Sequence, residues 1–189
     1  MSVWLRQLPN LISAARLVLV APIALALLHR DWPVAIALFV IAALSDGADG
    51  LLAKRFGWQT SLGAMLDPAA DKLLIATVFV TLAVQGSVPL WLAAAAVARD
   101  LLIATGALAY RVRIGPLRMR PTLVSKINTL CQLLFLLCVV VRREIALPPA
   151  WVEIVLGAAT LVTIGVSGID YVLTYARRAR GFEQREAGA

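Results

Sequence analysis

Charge is scarce in this sequence. Only 15% of its 189 residues are Asp, Glu, Lys or Arg, 61% are hydrophobic, and the mean hydropathy is +0.85. A soluble domain carries about 25% charged residues, so that class is excluded. Histidine occurs once, at His29, on a predicted outer loop with no partner. A single histidine excludes chemistry built on paired histidine-lysine-aspartate motifs. The two cysteines, Cys131 and Cys138, lie on one apolar segment at a spacing that shares a helix face. They read as small packing hydrophobes, not as a disulfide framework or metal site. The opening "MSVWLRQLPNLIS" lacks an A-x-A-like cleavage site and an Arg/Ser-rich transit segment, so it reads as mature sequence.

What is present is apolar and long. Hydrophobic stretches at 11–28, 33–53, 62–84, 88–110, 123–141 and 150–176 each approach the roughly 20 residues that cross a bilayer. The expected fold is therefore all-α: an integral membrane protein of six transmembrane helices. Trp4, Leu5 and Leu8 suggest a short N-terminal interfacial helix, with Pro9 breaking it and Asn10 capping the first span. Residues 1–180 form one membrane domain. Residues 181–189 read as a polar, disordered tail.

The net charge of +7 does not signal nucleic acid, because no soluble surface exists on which to spread a basic groove. Its placement signals topology. With the N-terminus inside, Arg6, Lys54, Arg55, Arg111, Arg113, Arg118, Arg120 and the Arg177–Arg185 cluster fall on the cytoplasmic side. Only Arg30, Arg142 and Arg143 fall outside. The positive-inside rule then puts both termini in the cytoplasm, beside anionic lipid head groups.

Ionisable residues within spans are costly and point to function. Asp46 and Asp49 are three apart, with Gly50 and Ala53 continuing their face, while Gly63, Asp67 and Asp71 recur every four residues. The short connection Arg55–Thr60 makes the two helices antiparallel neighbours. Four converging carboxylates repel one another, and nearby Lys54 and Lys72 offset them only in part. Hard oxygen donors in this number suit two divalent cations, Mg²⁺ or Mn²⁺, able in turn to hold a diphosphate. The small residues admit a bulky ligand to the helix backbones; packing between spans is the alternative use of such residues. A carboxylate-lined cation carrier is the reading from another class. No span shows the paired Gly/Pro breaks of an inverted repeat.

The stretch "SDGADGLLAKRFGWQTSLGAMLDPAADK" resembles the signature of the CDP-alcohol phosphotransferase family, D-x2-D-G-x2-A-R-x8-G-x3-D-x3-D. Asp46, Asp49, Gly50, Ala53, Lys54, Gly63, Asp67 and Asp71 fill its positions with every gap matching. One position departs: Lys54 stands where the family has arginine, losing a planar bidentate phosphate donor. The resemblance implies a two-metal enzyme that transfers a phosphatidyl group from CDP-diacylglycerol to an alcohol and releases CMP. It implies that Asp46, Asp49, Asp67 and Asp71 hold the metals, and that Asp71 is also the general base. Asp49, Gly50, Ala53, Lys54 and Gly63 would contact the nucleotide side. A homodimer is expected from the family alone.

The resemblance continues outside the signature. "PNLISAAR", with Asn10 and Arg16, is similar to the first helix of phosphatidylglycerol-type members, which implies that Arg16 contacts the substrate, and residues 98–111 and 120–132 are similar to CMP-forming cardiolipin synthases. It implies phosphatidylglycerol as acceptor and cardiolipin as product. Glycerol 3-phosphate, the acceptor of phosphatidylglycerophosphate synthases, is the alternative. Arg99, Lys126 and Asn128 lie in apolar spans and should face a cavity or an anion, with Asp100 a ready partner for Arg99. Lys126 either meets a phosphate or snorkels to the interface. Arg118 either meets the anionic acceptor or anchors the membrane surface. A bacterial cytoplasmic membrane fits the missing transit segment.

Overall fold

The computed structural model describes the backbone of residues 8–56, 63–113 and 122–186, and within them the side chains of residues 12, 14–45, 69–109 and 122–174. Six helices follow in order: α1 (Leu8–Leu28), α2 (Trp32–Phe56), α3 (Gly63–Val84), α4 (Leu90–Arg113), α5 (Leu123–Ile145) and α6 (Ala150–Glu186). No strand occurs among the described residues. Three helices contain segments long and apolar enough to cross a membrane, Leu90–Ala109, Leu123–Ile145 and Ala150–Thr174. Ala14–Leu28 and Trp32–Ser45 are shorter apolar segments.

Two expectations about the ends are corrected. Helix α1 begins at Leu8 and runs through Pro9 and Asn10. Proline in a first turn lacks only an N–H that would have no helical partner there, so Pro9 starts the helix and does not break one. The expected interfacial helix otherwise falls on residues 1–7, outside the described residues. At the other end α6 stays helical to Glu186, into the stretch expected to be disordered.

The helix ends explain themselves chemically. Arg30 adopts φ 59° after α1, and its N–H donates to Leu27 O at 2.9 Å while that of Asp31 donates to Ala26 O at 2.8 Å. This paired closure usually recruits glycine. Gly86, at φ 71°, closes α3 the same way, with Gly86 N to Ala83 O at 3.0 Å and Ser87 N to Leu82 O at 2.9 Å. Asp31 then opens α2, its Oδ1 accepting from Val34 N at 3.4 Å. Thr122 opens α5, its Oγ1 accepting from Ser125 N at 3.2 Å. Both are N-caps of the expected residue type.

The chain divides into two compact units. Unit 1 comprises residues 1–93 and 136–150, and unit 2 comprises residues 94–135 and 151–189. In unit 1, α1 packs against both α2 and α3. Apart from Arg16 and Thr81, its buried residues are apolar at helical spacing, among them Ile23 and Leu27 on α1, Phe39 and Ala42 on α2, and Leu74, Val78, Phe79 and Leu82 on α3. Gln85 Nε2 donates to Leu27 O at 2.5 Å, so the C-terminal ends of α1 and α3 meet and the two helices run parallel. In unit 2 the buried set is different in kind. Arg99, Asn128, Gln132, Thr160 and Ser167 are buried there beside Ala96, Ile103, Phe135 and Ile164. Gly157 has no side chain because Phe135 needs the room: a Cβ there would sit 3.2 Å from the ring.

Large apolar side chains elsewhere are exposed, Val84 at 74% and Leu123 at 76% among them. In a membrane such faces meet lipid tails without penalty, so packing and not exposure to water distinguishes core from surface. Leu82→Ala, at a fully buried position, is therefore expected to cost about 2–5 kcal/mol through the cavity it leaves. Val84→Ala, on the same helix, should change stability by less than about 0.5 kcal/mol. Denaturant titration in mixed micelles measures both.

Candidate active site

The signature residues ride on α2 and α3. Asp46, Asp49, Gly50, Ala53 and Lys54 fall on the helical backbone of α2, and Gly63, Asp67 and Asp71 on that of α3. The three- and four-residue spacings therefore do place each pair of acids on one helical face. The side chains of all these residues except Asp71 lie outside the described set, as does the connection 57–62. No cluster of metal-binding side chains is found among the described residues, a set that omits the side chains of Asp46, Asp49 and Asp67.

Asp71 is the one acid of the four whose surroundings are described. Its Oδ1 accepts a charged hydrogen bond from Nη1 of Arg16, on α1 and 55 residues away in sequence. The Arg16 side chain is fully buried, whereas that of Asp71 is 28% exposed. The pair is thus lopsided: the cation is sealed in the unit, and the carboxylate is partly exposed. With Gln85 joined to Leu27 at the far ends, α1 and α3 are clamped twice, the two clamps roughly 16–21 Å apart at 1.5 Å per residue. Sequence reasoning placed Arg16 at the substrate. Its contact with Asp71 was not anticipated, although an arginine and an aspartate in neighbouring apolar spans are natural partners in a medium that punishes lone charges.

Arg99 organises the second polar group, within unit 2. It is 5% exposed. Its Nη1 donates to Asp100 Oδ1 at 2.6 Å, its Nη2 to Ser125 Oγ at 3.0 Å, and Nη2 also donates to Ser167 Oγ. One guanidinium therefore ties α4 to α5 and α6. The Asp100 partnership is the one expected from sequence; the two serines were missed. Ser125, Asn128 and Gln132 recur at three and four residues on α5, and that spacing was the available signal. Asn128 has no hydrogen bond at either amide atom, nor has Gln132 at Nε2, Thr160 at Oγ1 or Arg99 at Nε, all of them buried. Buried polar atoms of this kind are normally met by a ligand or by water.

Of the other expected basic residues, Lys126 is described. Lys126 is exposed near the start of α5, a position from which an ammonium reaches the interface easily. Arg118 lies outside the described residues. Cys131 and Cys138 are free thiols on α5. His29 sits exposed in the turn after α1, its backbone N–H bonded to Leu25 O at 2.9 Å.

An aspartate pattern on two helices, in an all-helical chain with membrane-length apolar segments, defines a membrane-bound phosphotransfer class. The family model for CDP-alcohol phosphatidyltransferase matches residues 6–166, and the chain belongs to that family. It is similar to the "Cardiolipin synthase (CMP-forming)" of Rattus norvegicus, 32% identical over 143 residues, 67% of this chain and 47% of that protein. The human protein of the same name is 31% identical over the same length, covering 48% of it. The chain thus spans about half the length of these two relatives. A "Probable phosphatidylglycerophosphate synthase" of Mycobacterium tuberculosis is 33% identical over 184 residues, 94% of this chain and 86% of that protein.

The Arg16–Asp71 pair yields a stability prediction. Asp71→Ala removes a counter-charge from a fully buried guanidinium, and breaking such a pair costs about 3–5 kcal/mol. The Arg16→Met, Asp71→Ala double variant should recover most of that loss in micellar unfolding titrations. Equal destabilisation of the single and double variants would mean that the pair does not couple α1 to α3.

Proposed function

We propose that this chain transfers a phosphatidyl group from CDP-diacylglycerol to phosphatidylglycerol, giving cardiolipin and CMP. The observation that carries the reading is the complete set of signature spacings from Asp46 to Asp71 in a member of this family. The choice of acceptor rests on the similarity of residues 98–132 to CMP-forming cardiolipin synthases. The mycobacterial relative, matched over more of its length, favours glycerol 3-phosphate as the second reading.

The donor set fits divalent cations by its chemistry: four carboxylates, two on each of two helices, in a segment poor in basic residues. Asp46, Asp49, Asp67 and Asp71 would hold two Mg²⁺ or Mn²⁺, which supply charge neutralisation for the diphosphate. Gly50, Ala53 and Gly63 leave the helix backbones open to the nucleotide, and Lys54 adds a point charge at the phosphates. Arg16 helps to fix the Asp71 carboxylate on α3. Asp71 takes the proton of the acceptor hydroxyl as its oxygen bonds to the phosphorus bearing the diacylglycerol. The bond from that phosphorus to the bridging oxygen breaks, and CMP leaves with the electron pair.

The reading includes six spans with both termini in the cytoplasm. Trp32, Trp91 and Trp151 stand at or beside the first residues of α2, α4 and α6, the ends that an alternating topology places on one membrane face. Indole rings favour that interface. Reporter fusions after Glu186 and within the α1–α2 turn should report opposite sides. A homodimer is part of the proposal by family analogy.

The test supplies the purified chain with CDP-diacylglycerol, Mg²⁺ or Mn²⁺, and either phosphatidylglycerol or glycerol 3-phosphate, following CMP and the lipid product. Cardiolipin from the first acceptor only, abolished by chelation and lowered at least about 100-fold in Asp71→Asn, is the expected result. Phosphatidylglycerophosphate from the second would keep the metal-site reading and replace the acceptor.

A further inference from the structure

Unit 2 contains a cavity of about 410 Å³ walled by Arg99 and Leu102 of α4 and by Ile164, Gly165, Gly168 and Val172 of α6, among others. Its wall is aliphatic except for Arg99. Gly165 and Gly168 help to make the space, since a Cβ built on either meets nothing within 4 Å. The volume falls in the range of specific ligand sites, about 300–1,000 Å³.

An apolar groove on a membrane helix is not by itself a site, because lipid tails compete for it on equal terms with any apolar partner. The guanidinium changes this. Arg99 is 5% exposed, lines the cavity, and has a buried Nε with no acceptor. Its charge is shared with Asp100 at 2.6 Å. A wall with one partly compensated cation suits a ligand with a long aliphatic chain and a single negative charge. A diphosphate-bearing donor brings more charge than this wall balances, and glycerol 3-phosphate brings no chain to fill it.

We infer that this groove holds an acyl chain of the acceptor lipid, a monoanionic phosphodiester whose head is oriented from Arg99. The inference rests on the proposed lipid acceptor and deepens it: the groove is a specificity element for acyl length. Apolar chain contacts gain by shape, and Arg99 supplies register.

Gly168→Leu tests it, because the added side chain enters open space and leaves packed neighbours alone. The unmodified chain is first shown to convert phosphatidylglycerol; failure there removes the proposed function itself, before any variant is made. In an active preparation, Gly168→Leu should raise KM for long-chain phosphatidylglycerol about tenfold. It should leave kcat, KM for dihexanoyl phosphatidylglycerol and KM for CDP-diacylglycerol near their original values. Gly165→Leu should act in the same direction. A diazirine placed in the acyl chain of phosphatidylglycerol should label residues 164–173, and the label should fall in Gly168→Leu. Unchanged kinetics and labelling in both variants would overturn the inference. A rise confined to the donor's KM would overturn it by giving the groove to CDP-diacylglycerol, and conversion of a dimer to a monomer would do so by giving it to a second copy of the chain.

Discussion

A fully buried arginine paired with a partly exposed aspartate sets the terms for this fold. Arg16 has no route to water within its unit, and an uncompensated guanidinium in a low-dielectric setting costs several kcal/mol. The carboxylate of Asp71 supplies the counter-charge. Because the two residues stand on different helices, neutralisation and helix packing are one event: α1 and α3 come together in the register that brings these atoms into contact. The Gln85–Leu27 bond at the far end agrees with that register. The Asp71 side chain stays 28% exposed while the pair holds the helices.

The second unit repeats the logic with different partners. Arg99 is satisfied locally by Asp100 and at a distance by Ser125 and Ser167. Serine hydroxyls are short and cheap to order, so three helices can approach one guanidinium closely. The Gly157–Phe135 contact shows the apolar counterpart of the same economy, a glycine accommodating a ring across two helices. What differs is the balance of the interior. Unit 1 buries an aliphatic and aromatic core around Arg16, whereas unit 2 buries more polar side chains, among them Asn128, an amide with no hydrogen bond at either polar atom. A purely structural bundle in lipid has little reason to keep an unsatisfied amide such as Asn128, because each such group costs free energy that an apolar residue of similar size would avoid.

Hydrophobic runs made the helices legible. Each of the six apolar stretches became a helix, with ends shifted by a few residues. The shifts have local causes: Pro9 fits the first turn it was expected to break, and the arginine-rich segment after Thr174 has good helix formers that carry α6 beyond the membrane-length part. The in-span charges were legible as a group, since residues of this kind in apolar segments are expensive. Their partners were less so. Asp100 was visible as the neighbour of Arg99, but Asp71 lies 55 residues from Arg16, and only the folded register decides which acid an arginine meets. Serines are harder still, because a hydroxyl in an apolar helix can bond its own backbone four residues back, as Thr105 and Thr163 do. Ser125 and Ser167 serve Arg99 instead, and composition does not separate the two uses.

The membrane setting inverts the usual reading of a surface, and this determines which residues carry information. In water, an exposed leucine stripe would mark an interface and a buried polar group would be a minor detail. Here exposed Leu, Val and Ile side chains are the default solvent-facing state, and the unusual residues are the charged and amide side chains that face inward. A small site in such a chain is found by asking where each inward polar atom goes. Asp71 goes to Arg16 and stays partly exposed, and Arg99 goes to Asp100 and two serines with its buried Nε unmet. An acid that is anchored yet reachable is suited to proton transfer. An arginine largely satisfied by its neighbours is suited to orienting a ligand, since it has little uncompensated charge to give. The two buried cations differ in what each one already holds: a single carboxylate on a neighbouring helix for Arg16, and an adjacent carboxylate with two hydroxyls for Arg99.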